Sequence, residues 1–114
     1  THPRLSELQE HMQKEEIEGD KTRIEEVLGT MLSMFAYPFG QKTDYGTTTQ
    51  KLVREAGYAN AFTTEGVFVD MKNPYSLSRL CLEEGMSISV LARWIDGGYD
   101  VYVYFKSIFL SKIT

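Results

Sequence analysis

At 114 residues the chain is sized for one domain, and 42% hydrophobic against 25% charged residues is ordinary for a soluble globular protein and argues against disorder. Twelve Lys and Arg against sixteen Asp and Glu give a net charge of −4, the wrong sign for a protein that grips nucleic acid by neutralising phosphates. One cysteine, Cys81, excludes an internal disulfide framework, and no Cys/His grouping has zinc-finger spacing. The most apolar stretch, Val101 to Ile113, is interrupted by Lys106 and Lys112 and falls short of the ~18 residues of a membrane span. The opening Thr1-His2-Pro3-Arg4 reads neither as a signal or transit peptide nor, lacking Met, as a natural start, and the composition is that of a soluble domain or a piece of one.

The first 28 residues hold eight acids and four bases. Leu5, Leu8 and Met12, then Ile17, Ile24 and Leu28, recur at the period of an amphipathic helix with one buried face. Gly19 sits inside that pattern as a possible break, and Gly29 is placed to end the helix in a left-handed cap. Met31 to Tyr37 is a continuous apolar run stopped by Pro38, which predicts a strand buried on both faces and a turn through Gly40. Thr47, Thr48 or Thr49 caps a second helix through Leu52, Val53 and Ala56, closed by Gly57. Tyr58 to Thr63 reads as another strand, and the polar stretch around Asp70, Asn73 and Pro74 as a loop.

Ser87 caps a last helix through Ile88, Leu91, Ala92 and Ile95, ended by Gly97-Gly98. Tyr99 to Phe105 alternates with period two and predicts a final strand. Helices alternating with strands at this spacing indicate α/β units and a mainly parallel sheet.

Four segments carry a family resemblance. Phe35-Ala36-Tyr37-Pro38-Phe39-Gly40 is the most specific. Leu52 to Tyr58 with Ala61 to Thr64 follows it, Thr1-His2-Pro3 with Leu5-Ser6 precedes it, and Asn73-Pro74-Tyr75-Ser76-Leu77-Ser78-Arg79-Leu80 comes last. In that order they resemble the polysaccharide deacetylases, in particular the chitooligosaccharide (nodulation-type) group of carbohydrate esterase family 4. The resemblance implies a distorted (β/α)7-type barrel. At about 30 residues per βα unit, this chain has room for three to four units, and it resembles the C-terminal portion of such a domain. The family's Thr-Phe-Asp-Asp-Gly motif belongs to the first half, and no Asp-Asp pair occurs here.

The implied chemistry is hydrolysis of N-acetyl or O-acetyl groups on a polysaccharide. In the family a divalent metal held by Asp, His and His polarises the acetyl carbonyl and acidifies a water, while an Asp acts as base and a His as acid. By that resemblance His2 corresponds to the second metal histidine. Zinc suits its imidazole, with cobalt or nickel as alternatives. One histidine does not hold a catalytic metal, which takes about three protein ligands, so the others are expected outside this chain. Read from position alone, His2 is an ordinary terminal residue.

Phe39 corresponds to the residue whose backbone N–H faces the oxyanion, with Tyr37 and Pro38 setting the turn and sharing the substrate-binding role. The plain alternative is a strand end closed by a Pro-x-Gly turn. Ala36 stands where many family members have the arginine that orients the base. Arg79 is the candidate replacement, with a structural salt bridge as the other reading. The family's acid histidine has no counterpart, since no histidine follows His11, itself read as an exposed helix residue.

Cys81 reads as a buried thiol, and Trp94, Tyr99, Tyr102 and Tyr104 as core aromatics or, less simply, a sugar-stacking platform. Asp44 and Asp70 are loop acids with no evident partner. The expected partners are an acetylated glycan and either the missing N-terminal half or a second copy of the chain. Family members commonly act on envelope or extracellular polysaccharides. A non-catalytic carbohydrate-binding module on the same fold is the alternative, since it explains the missing Asp-Asp pair and late histidine.

Overall fold

The computed structural model describes residues 2–65, 71–98, 104–106 and 108–110, and the chain divides into two compact units, Thr1–Arg79 and Leu80–Thr114. In the first unit a 3₁₀ turn at Leu5–Glu7 leads to α1 (Glu10–Leu28), β1 (Met34–Ala36), α2 (Thr47–Glu55), β2 (Asn60–Thr63) and β3 (Leu77–Ser78). The strands form one sheet in chain order, and both pairings are parallel. Parallel neighbours need a crossover, and α2 supplies it between β1 and β2. The result is a partial α/β fold built on a small parallel sheet.

α1 runs through Gly19 without the break its sequence allows. It ends at Gly29, whose φ of 66° is the left-handed cap, with its N–H donating to Glu25 O at 2.8 Å. The expected apolar stripe is only partly realised. Leu5 lies in the 3₁₀ turn and Leu8 just beyond it, so neither belongs to α1. Packing covers the Gln13 to Ile17 turns and leaves Ile24 and Leu28 exposed.

The strand expected from Met31 to Tyr37 is three residues long and is not buried on both faces. Among the described residues β1 is an edge strand. Phe35 and Tyr37 turn to the core, where the Phe35 ring lies 5.5 Å from that of Tyr37 and 5.2 Å from that of Tyr58. Met34, on the other face, is 66% exposed. Continuous hydrophobicity called for cover on both sides, and among the described residues cover is present on one.

α2 begins after Gly46 rather than after a threonine. Thr49 still does capping work from the third helical position, accepting from Gly46 N–H at 3.1 Å and donating to Gln13 Oε1 at 2.6 Å. Leu52 and Val53 are buried with Leu5, Ile17, Tyr58, Ala61 and Tyr75, each large aliphatic contributing about 1.5–3 kcal/mol. β3, only two residues long, falls in a segment without strand periodicity. Tyr75 just before it ties the core together: Tyr37 Oη donates to Tyr75 O and Tyr75 Oη to Tyr58 O, both at 2.8 Å.

In the second unit α3 spans Ile88–Ile95, with Ser87 as its N-cap accepting from Val90 N–H at 3.3 Å. No residue of α3 is buried. Cys81 is exposed, not the buried thiol expected, because the Leu80-Cys81-Leu82 segment takes no regular structure and its apolar neighbour Leu82 is exposed as well. Of the strand expected from Tyr99 to Phe105, positions 99–103 lie outside the described residues. Tyr104 and Phe105 are helical. Phe105, Ile108 and Phe109 recur at i, i+3 and i+4, a helical spacing that overrides the local alternation.

Candidate functional site

β1 runs into Tyr37-Pro38-Phe39-Gly40, and this turn is the centre of the candidate site. Tyr37 N–H still pairs with Phe62 O at 3.1 Å. Its ring is 1% exposed and stacks on Tyr45 with centroids 4.1 Å apart. Burial pushes the Tyr37 hydroxyl well above the usual phenol range. The side chain expected to bind substrate is thus a core residue, and Tyr37 serves the turn through its backbone. Pro38 has no N–H, which ends the ladder.

Gly40 N–H then donates to Pro38 O at 2.7 Å, closing a three-residue γ-turn with Phe39 at its centre. Phe39 has φ 62°, the one positive value other than at glycine among the described residues. A γ-turn of that hand is rare and strained. Gly40 follows at φ 79°, and a Cβ there would lie 2.9 Å from Thr64 Cγ2 and 3.0 Å from both Thr64 N and Arg79 Nη2. Thr64, at the end of β2, fastens the turn: its N–H donates to Gly40 O at 2.8 Å and its Oγ1 to Phe39 O at 3.2 Å. Among the described residues nothing accepts the Phe39 N–H.

Arg79 leaves the end of β3 and reaches back over β2. Its Nε donates to Thr63 O and its Nη2 to Tyr37 O, each at 3.4 Å. No carboxylate among the described residues forms an ion pair with it. Ala36 offers no charge, but an arginine from a different strand comes to the same turn. His2 is exposed, and its ring meets the edge of Phe39 with centroids 5.1 Å apart. Beside it lies a cavity of about 120 Å³, lined by His2 and Pro3, by Ile17 and Asp20 of α1, and by Ala36 and Pro38.

Asp44, read from the sequence as a loop acid with no evident partner, has two. It is 2% exposed, pairs with Arg4 Nε through Oδ1 at 3.3 Å and accepts from Gln41 N–H through Oδ2 at 2.9 Å. Arg4 in turn stands over the Phe39 ring, 5.1 Å from its centroid. No periodicity marks such a residue; its partner is forty positions away. Asp70 lies outside the described residues, and His11 is exposed on α1. Trp94 is half-buried on α3, Tyr104 is 52% exposed, and Tyr99 and Tyr102 lie outside the described residues.

Among the described residues no three His, Cys, Asp or Glu side chains come together as a metal group. A catalytic metal takes about three protein ligands, so these residues do not make such a site by themselves. A protein-family model described as polysaccharide deacetylase matches residues 1–61, the span holding His2, α1, the turn and α2. Comparison with curated proteins and with solved structures gives no significant match.

Proposed function

This chain belongs to the polysaccharide deacetylase family, and from that premise we propose that it supplies the acetyl-binding wall of a catalytic domain hydrolysing N-acetyl or O-acetyl groups on a polysaccharide. The observation that carries the reading is the Phe39 N–H: it sits in a strained turn at the end of a parallel strand and has no acceptor among the described residues. Such a donor is fixed before the reaction, and aimed at the oxygen that becomes negative in the tetrahedral intermediate it is worth about 3 kcal/mol of the barrier. Arg79, with its charge unpaired among the described residues, orients the general base, a carboxylate from outside the chain. His2 stands as the chain's one ligand to a divalent metal, zinc first and cobalt or nickel next, the others coming from outside the chain.

On this reading the chain is inactive alone. Its partner along the edge of β1 that no described strand pairs is the N-terminal half of the barrel or, in its absence, a second copy. No helix among the described residues is long and apolar enough to cross a membrane. The substrate class points to action at the cell envelope or outside the cell.

The absence of a metal group among the described residues favours one second reading, a non-catalytic carbohydrate-binding module. Calorimetry with N-acetylated and de-N-acetylated hexosamine oligomers separates the two. Binding that requires the acetyl group supports the deacetylase reading; equal binding of both oligomers supports the module.

A further inference from the structure

Phe39 holds a backbone conformation that glycine adopts freely and phenylalanine adopts only under constraint. The constraint is visible on its ring. His2 meets the edge, and the Arg4 guanidinium stands over it 5.1 Å from the centroid. Arg4 is itself half-exposed and faces two carboxylates, the exposed Glu7 at 3.8 Å from Nη1 and, closer, Asp44 at 3.3 Å from Nε, the one buried carboxylate among the described residues. Asp44 is locked in turn: Gln41 N–H donates to its Oδ2, Ser6 N–H to its carbonyl oxygen at 3.0 Å, and Ser6 Oγ to the neighbouring Thr43 O at 2.6 Å. The N-terminal segment and the loop after the turn are thereby clamped together, with the half-exposed Phe39 ring against the Arg4 guanidinium.

We propose that Arg4, anchored by Asp44, is a positioning residue that fixes the Phe39 ring and so keeps the Phe39 N–H turned outward in its strained γ-turn. The catalytic consequence rests on the oxyanion reading of Phe39; the positioning itself does not. A cation over an aromatic face, tethered to a buried anion, restrains a ring more firmly than either contact alone. A purely structural ion pair would stabilise the loop without acting on Phe39.

The test uses the whole chain labelled with ¹⁵N-phenylalanine. Arg4→Ala is expected to shift the Phe39 amide resonance while those of Phe35 and Phe62 stay in place. Arg4→Lys, which keeps a cation able to face both the ring and Asp44, is expected to return it toward its original position. Arg4 is half-exposed, so its replacement leaves the core intact. Asp44→Asn is expected to reproduce the Arg4→Ala shift, and if that variant does not fold the Arg4 pair still decides. A Phe39 amide unmoved in Arg4→Ala overturns the proposal. Acetate release by the complete enzyme provides the second readout. A fall in kcat on the order of ten-fold at constant KM is expected for Arg4→Ala. A shifted amide with unchanged kcat would leave the clamp standing and remove the oxyanion reading instead.

Discussion

Arg79 Nη2 lies 3.4 Å from Tyr37 O, joining the ends of two strands that never touch, since β2 stands between them. The guanidinium bridges the sheet and holds the residue before the γ-turn, while Thr64 holds the turn itself through Phe39 O and Gly40 O. Arg79→Met is expected to cost about 1 kcal/mol in urea unfolding, the net worth of its bonds to two carbonyls. On the proposed reading, acetyl hydrolysis by the chain joined to its partner half should fall much further than that loss explains. Wild-type turnover in a stable Arg79→Met protein would remove the arginine from the site.

Gly40 has two independent reasons to be glycine: its φ of 79° and the 2.9 Å approach of Thr64 Cγ2 to any Cβ. Gly40→Ala should therefore lose about 2 kcal/mol or more, combining left-handed strain with overlap against backbone. Gly29→Ala meets the φ penalty alone, with no atom within 4 Å of its Cβ, and should lose less. Equal denaturation midpoints for the two variants would contradict the steric account.

Thr49 is 1% exposed and its hydroxyl serves both Gln13 and Gly46. Thr49→Val keeps the shape and strands both partners, which should cost about 1–3 kcal/mol. Pairing it with Gln13→Leu should recover part of that loss, because the buried acceptor is removed as well. Strict additivity of the two changes in denaturant unfolding would argue that α1 and α2 are not coupled through this bond.

Glu25 is held below the usual carboxylate range, first by its hydrogen bond from Lys21 and then by the Leu32 N–H at 2.8 Å. A carboxyl with a depressed folded pKa contributes stability above its unfolded pKa and loses it as pH falls through the folded value. The wild-type chain should thus lose stability more steeply than Glu25→Gln as pH falls below the ordinary glutamate value of about 4.3. Denaturant midpoints above and below that value check this, and parallel curves would contradict it.

Much of this was legible in the chain because it is local. Gly29 and Ser87 cap their helices where composition placed them, and Pro38 with Gly40 marks the end of β1 and the turn. What escaped depends on distant partners. β3 is two residues long and exists through its pairing with Phe62 and Thr63. Asp44 is buried because Arg4, Ser6 and Gln41 close over it. The exposure of Ile24, Leu28 and Met34 reflects what packs on α1 and β1, which a hydrophobic pattern does not report. The positive φ of Phe39 was equally hidden, since sequence favours glycine for such a position.

The account turns on the Phe39 N–H as the group that receives the acetyl oxygen. Its most direct test is a titration of the ¹⁵N-phenylalanine-labelled chain with acetate, the released product, followed through the Phe39 amide. The account predicts a saturable downfield shift of that resonance while Phe35 and Phe62 remain still. A Phe39 amide that does not respond, or a response spread equally over all the phenylalanines, would contradict it.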